Sequence, residues 1–443
     1  MKKILILAYD FPPYVSVGGL RPYSWYCYFK DFGIYPVVIT RQWSNKHGNN
    51  LDYIAASDFD DTQIEESEFG TIVRAAFKPN LSNRLLLKYG DSRFRIFRKI
   101  ITAFYELGQF PFMIGPKSSL YYAANDYLKT NKVDVIIASG GPFVLFKYAS
   151  KLSQKYKVNW VADYRDPWSQ DKNRKENTII QKWDVFFERK YIKEAHSLIT
   201  VSSFLQKLIS KLFSEKTFHI IPNGYDPKAV DTTIGIEQGK IKMSIAFVGT
   251  IYKYHPLNSF LKACNDFITK NNNADFRLHF YGLNNENEIW GVVNSTYPDL
   301  IPYIFVIPKL PNEKLLQKLA TDNVFLLFNH YSYMGTKIYD YLALKRKIIL
   351  CYKNDAEANE IKRKYFKIEG IDSESDNLQA DLIEATKSGI IVNDAEHLSL
   401  VLQELYSEFR TKGFLECNST NIDQFSRKIQ AQKLAEILIN EAS

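Results

Sequence analysis

Cysteine is scarce. There are four in 443 residues, Cys27, Cys264, Cys351 and Cys417, far apart and without a C-x-x-C pair. That spacing supports neither a zinc site nor a disulfide framework, and it fits a reducing cytoplasm. Long apolar runs are missing too: no stretch approaches the roughly 20 residues a bilayer-crossing helix needs. The opening MKKILILAYDFPPY is apolar but short, meets Asp10 and two prolines, and lacks a cleavage-type segment, so it reads as a first strand rather than a leader. No G-x-G-x-x-G fingerprint follows either candidate first strand, which argues against an NAD enzyme. A net charge of +8 over this length is no argument for nucleic acid.

What the chain does have is a hydrophobic share of 46%, enough for sizeable cores, and a length that implies two or three domains. Short runs rich in Ile, Val, Leu and Phe alternate with longer segments of helical period, the pattern of parallel sheets covered by helices. The predicted strands of the first half are KILILAY, YPVVIT, TIVRAAF, DVIIASG, NWVADY, SLITVS and FHIIPN. MSIAFVG, FRLHFYG, IPYIFVI, NVFLLF, KIILCY and GIIV repeat the pattern in the second. Between the sets, Asn223 to Lys240 is polar, turn-rich and aperiodic, and reads as a linker. The expectation is an α/β chain of two similar-sized doubly wound domains.

Open parallel sheets bind ligands just beyond the carboxyl ends of their strands. After the first strand, DFPPYVSVGGLRPY places Gly18 and Gly19 ahead of a helix predicted from near Arg21. The pair is either a plain turn or a close backbone approach to an anion. NWVADY opens into RDPWSQ, clustering Asp163, Arg165, Asp166 and Trp168. This is either a local ion pair or a set of polar groups and an indole suited to a sugar. In the second half FVGTIYKYHP offers Lys253 and His255 as phosphate partners, and MGTK presents Gly335 and Thr336 at the start of a helix carrying Asp340. Backbone N–H groups there suit phosphate oxygens, and a carboxylate a turn later suits vicinal ribose hydroxyls. The helix macrodipole alone also favours an acid in the first turns.

In this order along the chain, FPPYVSVGGLRPY, ADYRDPWS, ERKYIKEAHSLITVSSFLQ, IIPNGYDP, IAFVGTIY and GTKIYDYLALKRKII resemble the retaining glycosyltransferases of family 4, the glycosyl transferase group 1 domain. The resemblance implies a GT-B fold, with two Rossmann-like domains facing across a cleft: 1–225 on the acceptor side and 226–415 on the nucleotide-sugar side, with a C-terminal helix in 416–443 packing back on the first domain. It implies transfer of a sugar from a nucleotide diphosphate to a glycan or lipid-linked acceptor hydroxyl with retention, in cell-surface polysaccharide biosynthesis. The implied setting is the cytoplasm, at the inner face of the plasma membrane, with no metal, no nucleic acid and no cofactor besides the nucleotide-sugar substrate. Where the family carries two glutamates eight positions apart, this chain has Ser332, which bears no charge, and Asp340, which keeps the ribose role. Thr250 stands where many members have an arginine on the pyrophosphate, leaving Lys253 or Lys337 to compensate.

The residues so implied for the donor are Gly18, Gly19, Thr250, His255, Ser332, Gly335, Thr336, Lys337 and Asp340. Lys253 is the catalytic candidate at the departing diphosphate, and Arg165 and Asp166 are those facing the acceptor. The departures at Ser332 and Thr250 keep open a catalytically weak sugar-nucleotide or glycan-binding protein of this fold. Nucleotide-sugar 2-epimerases, which share the architecture, are a further alternative.

Two other stretches carry signals. Asp58 to Asp61 contains a D-x-D, a pattern that in a different glycosyltransferase fold holds metal, but the acids continue through Glu65, Glu66 and Glu68 and read as a solvated loop. Asn83 to Gly115 interleaves Arg84, Lys88, Arg93, Arg95, Arg98 and Lys99 with Phe94, Ile96, Phe97, Ile100, Ile101 and Phe104. Such a mixture suits contact with an anionic membrane, where each basic residue adds about 1 kcal/mol, or an amphipathic helix packed on the sheet.

Overall fold

The apolar runs become strands, and the segments of helical period between them cover both faces of two sheets. In the computed structural model the described residues are 1–44, 51–170, 178–272, 274–354, 356–366 and 377–442. They divide into two units, Met1–Asn223 together with the chain from Arg427 on, and Gly224–Ser426.

The first unit holds β1 (Lys2–Leu7), β2 (Ile34–Arg41), β3 (Gln63–Glu66), β4 (Thr71–Ala75), β5 (Val135–Ser139), β6 (Asn159–Tyr164), β7 (Ser197–Thr200) and β8 (Thr217–Ile220). Their order in the sheet is β3-β4-β2-β1-β5-β6-β7-β8. All neighbours are parallel except β3 and β4. Side chains of β1 alternate between two cores: Leu5 and Leu7 join Val37, Ile136 and Trp160, while Ile4 and Ile6 join Trp25, Phe29 and Val161. The C-terminal helix Arg427–Glu441 completes the second core with Ala431, Leu434, Ala435 and Leu438, all on one helical face.

The second unit holds β9 (Met243–Val248), β10 (Phe276–Tyr281), β11 (Ile304–Ile307), β12 (Val324–Phe328), β13 (Lys347–Cys351) and β14 (Gly389–Val392), in the order β11-β10-β9-β12-β13-β14 and all parallel. It too is covered by core clusters on both faces. Part of the expected linker belongs to this unit: Asp226 caps a short helix, Pro227–Asp231, and Tyr225 and Ala229 are buried in its core.

Three local expectations are corrected. The acidic stretch read as a loop includes β3, which pairs antiparallel with β4 through the edge of the sheet. All four of its residues are exposed, so burial imposes no alternation that a sequence pattern could reveal. The first helix, α1 (Val17–Tyr28), starts four residues before Arg21, because the Ser16 hydroxyl accepts from the Gly18 N–H and caps it; Gly18 and Gly19 therefore lie inside its first turn. The segment 83–115 is not one helix against the sheet. It forms α2 (Leu81–Tyr89) and α3 (Arg95–Gly108), which pack on each other and leave Ile96, Phe97, Ile100 and Phe104 exposed. Arg98 is buried there, donating to the carbonyls of Asp91 and Arg93 and pairing with the Asp91 carboxylate at 2.9 Å.

Leu434 is fully buried, so Leu434→Ala removes core contacts that the sheet cannot refill. The expected loss is about 2–5 kcal/mol from the first unit, read as a lower urea midpoint at unchanged slope.

Candidate functional site

In the second unit the chain runs outward from β9 through β10 and β11, then returns to the other side of β9 with β12. The strand order thus reverses between β9 and β12, and sheets of this kind bind ligands past the carboxyl ends of such strands. The loops there are 249–256 and 329–336, which carry most of the residues predicted for the donor.

His255 and His330, one from each loop, meet Nε2 to Nε2 at 3.1 Å. Burial pushes His255 down to about 2, with the neighbouring His330 adding to the effect, and burial pushes His330 down to about 4. Both rings are therefore neutral at pH 7, so neither brings a positive charge to these loops. Thr250 accepts from Asn284 Nδ2 at 2.7 Å, and Lys253 is exposed. Ser332 is 2% exposed, and its buried hydroxyl has no hydrogen-bond partner among the described residues. Gly335 and Thr336 precede the helix Lys337–Leu344, whose N-cap Thr336 makes no side-chain capping bond. Asp340, partly buried, lies in the first turn of that helix. Ile338, Tyr341, Leu342 and Leu344 are buried in one core cluster with Phe325 and Leu327, with Tyr341 stacked on Phe325, which fixes the helix that begins at this loop cluster. His330 was not singled out from the sequence. Its only signal was its position just past β12.

In the first unit the order reverses between β1 and β5. Arg165, past β6, donates to Gly18 O at 2.6 Å, to Gly140 O at 2.9 and 2.5 Å, and to Gly141 O at 3.0 Å. Pro22, inside α1, has no N–H for the carbonyl four residues back, which is that of Gly18, and the guanidinium satisfies it instead. A β-carbon at Gly18 would lie 2.6 Å from Arg165 Nη1, so this glycine makes room for the arginine. The amides of Gly18 and Gly19 are already bonded to Ser16 Oγ and Ser16 O.

Asp163 does not pair with its neighbour Arg165. It is fully buried and holds Arg21 at 2.9 Å, while Ser139 donates to it at 2.9 Å. Trp168 is buried as well, stacked on Phe143 at 5.1 Å, and so is not a platform for sugar. The loop that carries exposed Asp166 is tied from behind by buried Glu188, which accepts from Tyr164 Oη, Ser169 N and Gln170 Nε2. Burial pushes the Glu188 carboxyl up, as it does that of Asp10, whose Oδ2 accepts from Ser16 Oγ at 2.6 Å. Asp10, one of the rim residues past β1, was visible in the sequence only as the acid that ends the first apolar run.

Residues 30–229 match the family described as Glycosyltransferase Family 4. No curated protein matches the sequence. Among solved structures the chain is similar to a sucrose-phosphate synthase from Thermosynechococcus elongatus, with 14% identity, 99% of each chain covered and a TM-score of 0.61. It is similar to an α,α-trehalose-phosphate synthase (UDP-forming) from Burkholderia xenovorans in complex with glucose-6-phosphate, at 11% identity, full coverage of both chains and a TM-score of 0.59. It is also similar to the E. coli structure described as trehalose-6-phosphate bound with UDP-2-fluoro glucose, at 10% identity, 100% and 97% coverage and a TM-score of 0.55. At these identities the likeness establishes the fold, which is GT-B.

Two outcomes are expected. Gly18→Ala forces the Arg165 guanidinium out of place and lowers stability by about 1–3 kcal/mol, measured by denaturant unfolding. In the unfolded chain both histidines protonate near about 6.5. The folded chain holds them neutral to about 2 and about 4. Below about pH 6.5 the unfolded state therefore binds more protons, and stability falls as pH falls. The urea midpoint should drop between pH 7 and 4.5, with a shallower drop in His255→Gln; an equal slope in the variant would show that His255 is not held neutral.

Proposed function

We propose that this chain, an enzyme of the glycosyltransferase class by its matched domain and its GT-B fold, moves a sugar from a nucleotide diphosphate to a hydroxyl of a glycan or lipid-linked acceptor with retention. The observation that carries the reading is the arrangement past β9 and β12: a glycine turn, a helix start without a side-chain cap, and one acid in the first helical turn. When the bond from the anomeric carbon to the diphosphate breaks, negative charge builds on the departing phosphate oxygen. Amide N–H groups and the positive end of the helix Lys337–Leu344 stabilise that charge more than they stabilise the bound ground state. Lys337 opens that helix and Lys253 is exposed on the facing loop, so both supply the positive charge absent from Thr250. Asp340 accepts hydrogen bonds from the ribose hydroxyls. The neighbour bound with UDP-2-fluoro glucose makes a uridine diphosphate sugar the first donor to try.

The acceptor side of the reading is cell-surface polysaccharide assembly on the cytoplasmic face of a membrane. Among the described residues no helix is long and apolar enough to cross a membrane. On α3, however, Ile96, Ile100, Phe104 and Leu107 recur at helical spacing as an exposed stripe, Ile96 at 78%. Exposed Arg84, Lys88, Arg93, Arg95 and Lys99 lie on the same helix pair and its connecting turn. An apolar stripe beside cations suits peripheral contact with an anionic lipid surface. A second reading, a weakly catalytic binder of sugar nucleotides, draws on the neutral histidine pair and on Ser332 without charge.

Calorimetry with uridine, guanosine, adenosine and cytidine diphosphates tests the donor. One of them should bind, and Asp340→Asn should weaken it about tenfold or more, since hydrogen bonds to charged groups contribute about 1.5–3 kcal/mol. Binding by wild type without donor hydrolysis or transfer would favour the second reading. In flotation assays the protein should rise with vesicles containing anionic lipid and not with neutral ones. Replacing Phe97, Ile100 and Phe104 with serine should abolish that, and identical flotation of wild type and variant would remove the membrane contact.

A further inference from the structure

The histidine pair has a defined hydrogen-bond polarity. The backbone N–H of Tyr252 donates to His255 Nδ1 at 3.3 Å, so Nδ1 is the accepting nitrogen of that ring. A neutral imidazole with an accepting Nδ1 carries its hydrogen on Nε2. The only described partner of His255 Nε2 is His330 Nε2, at 3.1 Å, which must then accept. The hydrogen of neutral His330 is left on Nδ1. Packing holds the rings in this relation: His255 lies against Phe328 at 4.8 Å and Tyr254 at 5.0 Å, and the His330 backbone N–H is fixed on Gln379 Oε1 at 2.7 Å. His330 Nδ1 itself faces the turn before the helix Lys337–Leu344, since a β-carbon built on Gly335 would have it as the single neighbour within 4 Å, at 3.8 Å.

We infer that His330 is a donor-site binding residue, presenting Nδ1–H to the diphosphate at the Gly335 turn, and that His255 is a positioning residue that sets the His330 tautomer. This rests on the donor reading above and adds to it the group that stands in for a missing cation. The burial that keeps both rings neutral also keeps them from exchanging roles by protonation near pH 7. A fixed neutral donor binds an anion without the desolvation cost of a buried cation. A side chain at Gly335 would stand in the space into which Nδ1–H points.

The test separates tautomer from binding. Two-dimensional 15N–1H spectra of imidazole nitrogens report which nitrogen carries the hydrogen in unliganded wild type, with His330 assigned by its absence from His330→Asn. Nδ1–H is expected, and an Nε2–H tautomer overturns the inference whatever binds. Calorimetry then uses the diphosphate that wild type binds best. The asparagine amide reaches about where Nδ1 stood and the glutamine amide about where Nε2 stood, so His330→Asn should retain affinity within about threefold while His330→Gln loses about tenfold. His255→Gln, still able to donate to His330 Nε2, should bind like wild type, and His255→Leu should weaken binding. Equal affinities for the two His330 variants would sink this assignment and leave the donor reading standing. Failure of wild type to bind any of the four diphosphates would instead remove the donor reading, and this inference with it.

Discussion

A proline inside α1 sets the arrangement of the first unit. Pro22 cannot donate to the Gly18 carbonyl, and a buried carbonyl without a donor is costly. Arg165 meets it from the loop after β6, and the same planar fork reaches Gly140 and Gly141 in the loop after β5. One guanidinium thus binds the ends of three separate chain segments where the strand order reverses. Lysine, a point charge on a flexible stem, has no comparable geometry. Beneath it, Arg21 and Asp163 form a second buried tie, with Arg21 also donating to the carbonyls of Ile221 and Pro222. Each charge in that pair is tolerated in the interior because of the other and of its hydrogen bonds. The rim past β1, β5 and β6 is therefore built before any ligand arrives.

The second unit handles polar groups differently at the equivalent place. Where the first unit satisfies loop carbonyls with arginine, the second buries two imidazoles so far that they give up their charge. On the proposed reading, anions are met there by oriented dipoles: amides at a helix start, an imidazole N–H, and a glycine turn that allows close approach. Of the residues named there only Lys253 and Lys337 bring positive charge, and both retain contact with solvent. Preorganised dipoles need no rearrangement when charge moves onto a leaving group.

Much of this was legible in the residues. The thirteen apolar runs from KILILAY to GIIV fall on the parallel strands, because most of these strands are buried on both faces and so are largely apolar along their length. β3 escaped notice because it is exposed on both faces and its register is set by β4 rather than by a core. The start of α1 was misplaced because two glycines carry little helix propensity, while the Ser16 cap and the packing of Trp25 and Phe29 override it. At the rims, strand ends could be located from sequence, and so could the loops past them. Partners could not. Nothing local to ADYRDPWS says that Asp163 reaches back to Arg21, 142 residues away, or that Trp168 turns inward to Phe143. The pairing of His255 with His330 spans 75 residues and depends on β9 and β12 being neighbours, which is a fact of topology.

The antiparallel ribbon at the border of the larger sheet has an effect on the molecule's company. An unpaired border is an invitation for another chain to add on through its backbone. Here that border is β3, and it displays Glu65 and Glu66 with every side chain open to water. Two copies approaching along this rim would bring carboxylates against carboxylates, so the same acids that hid the strand from a reading of the sequence discourage the sheets from joining into longer ones.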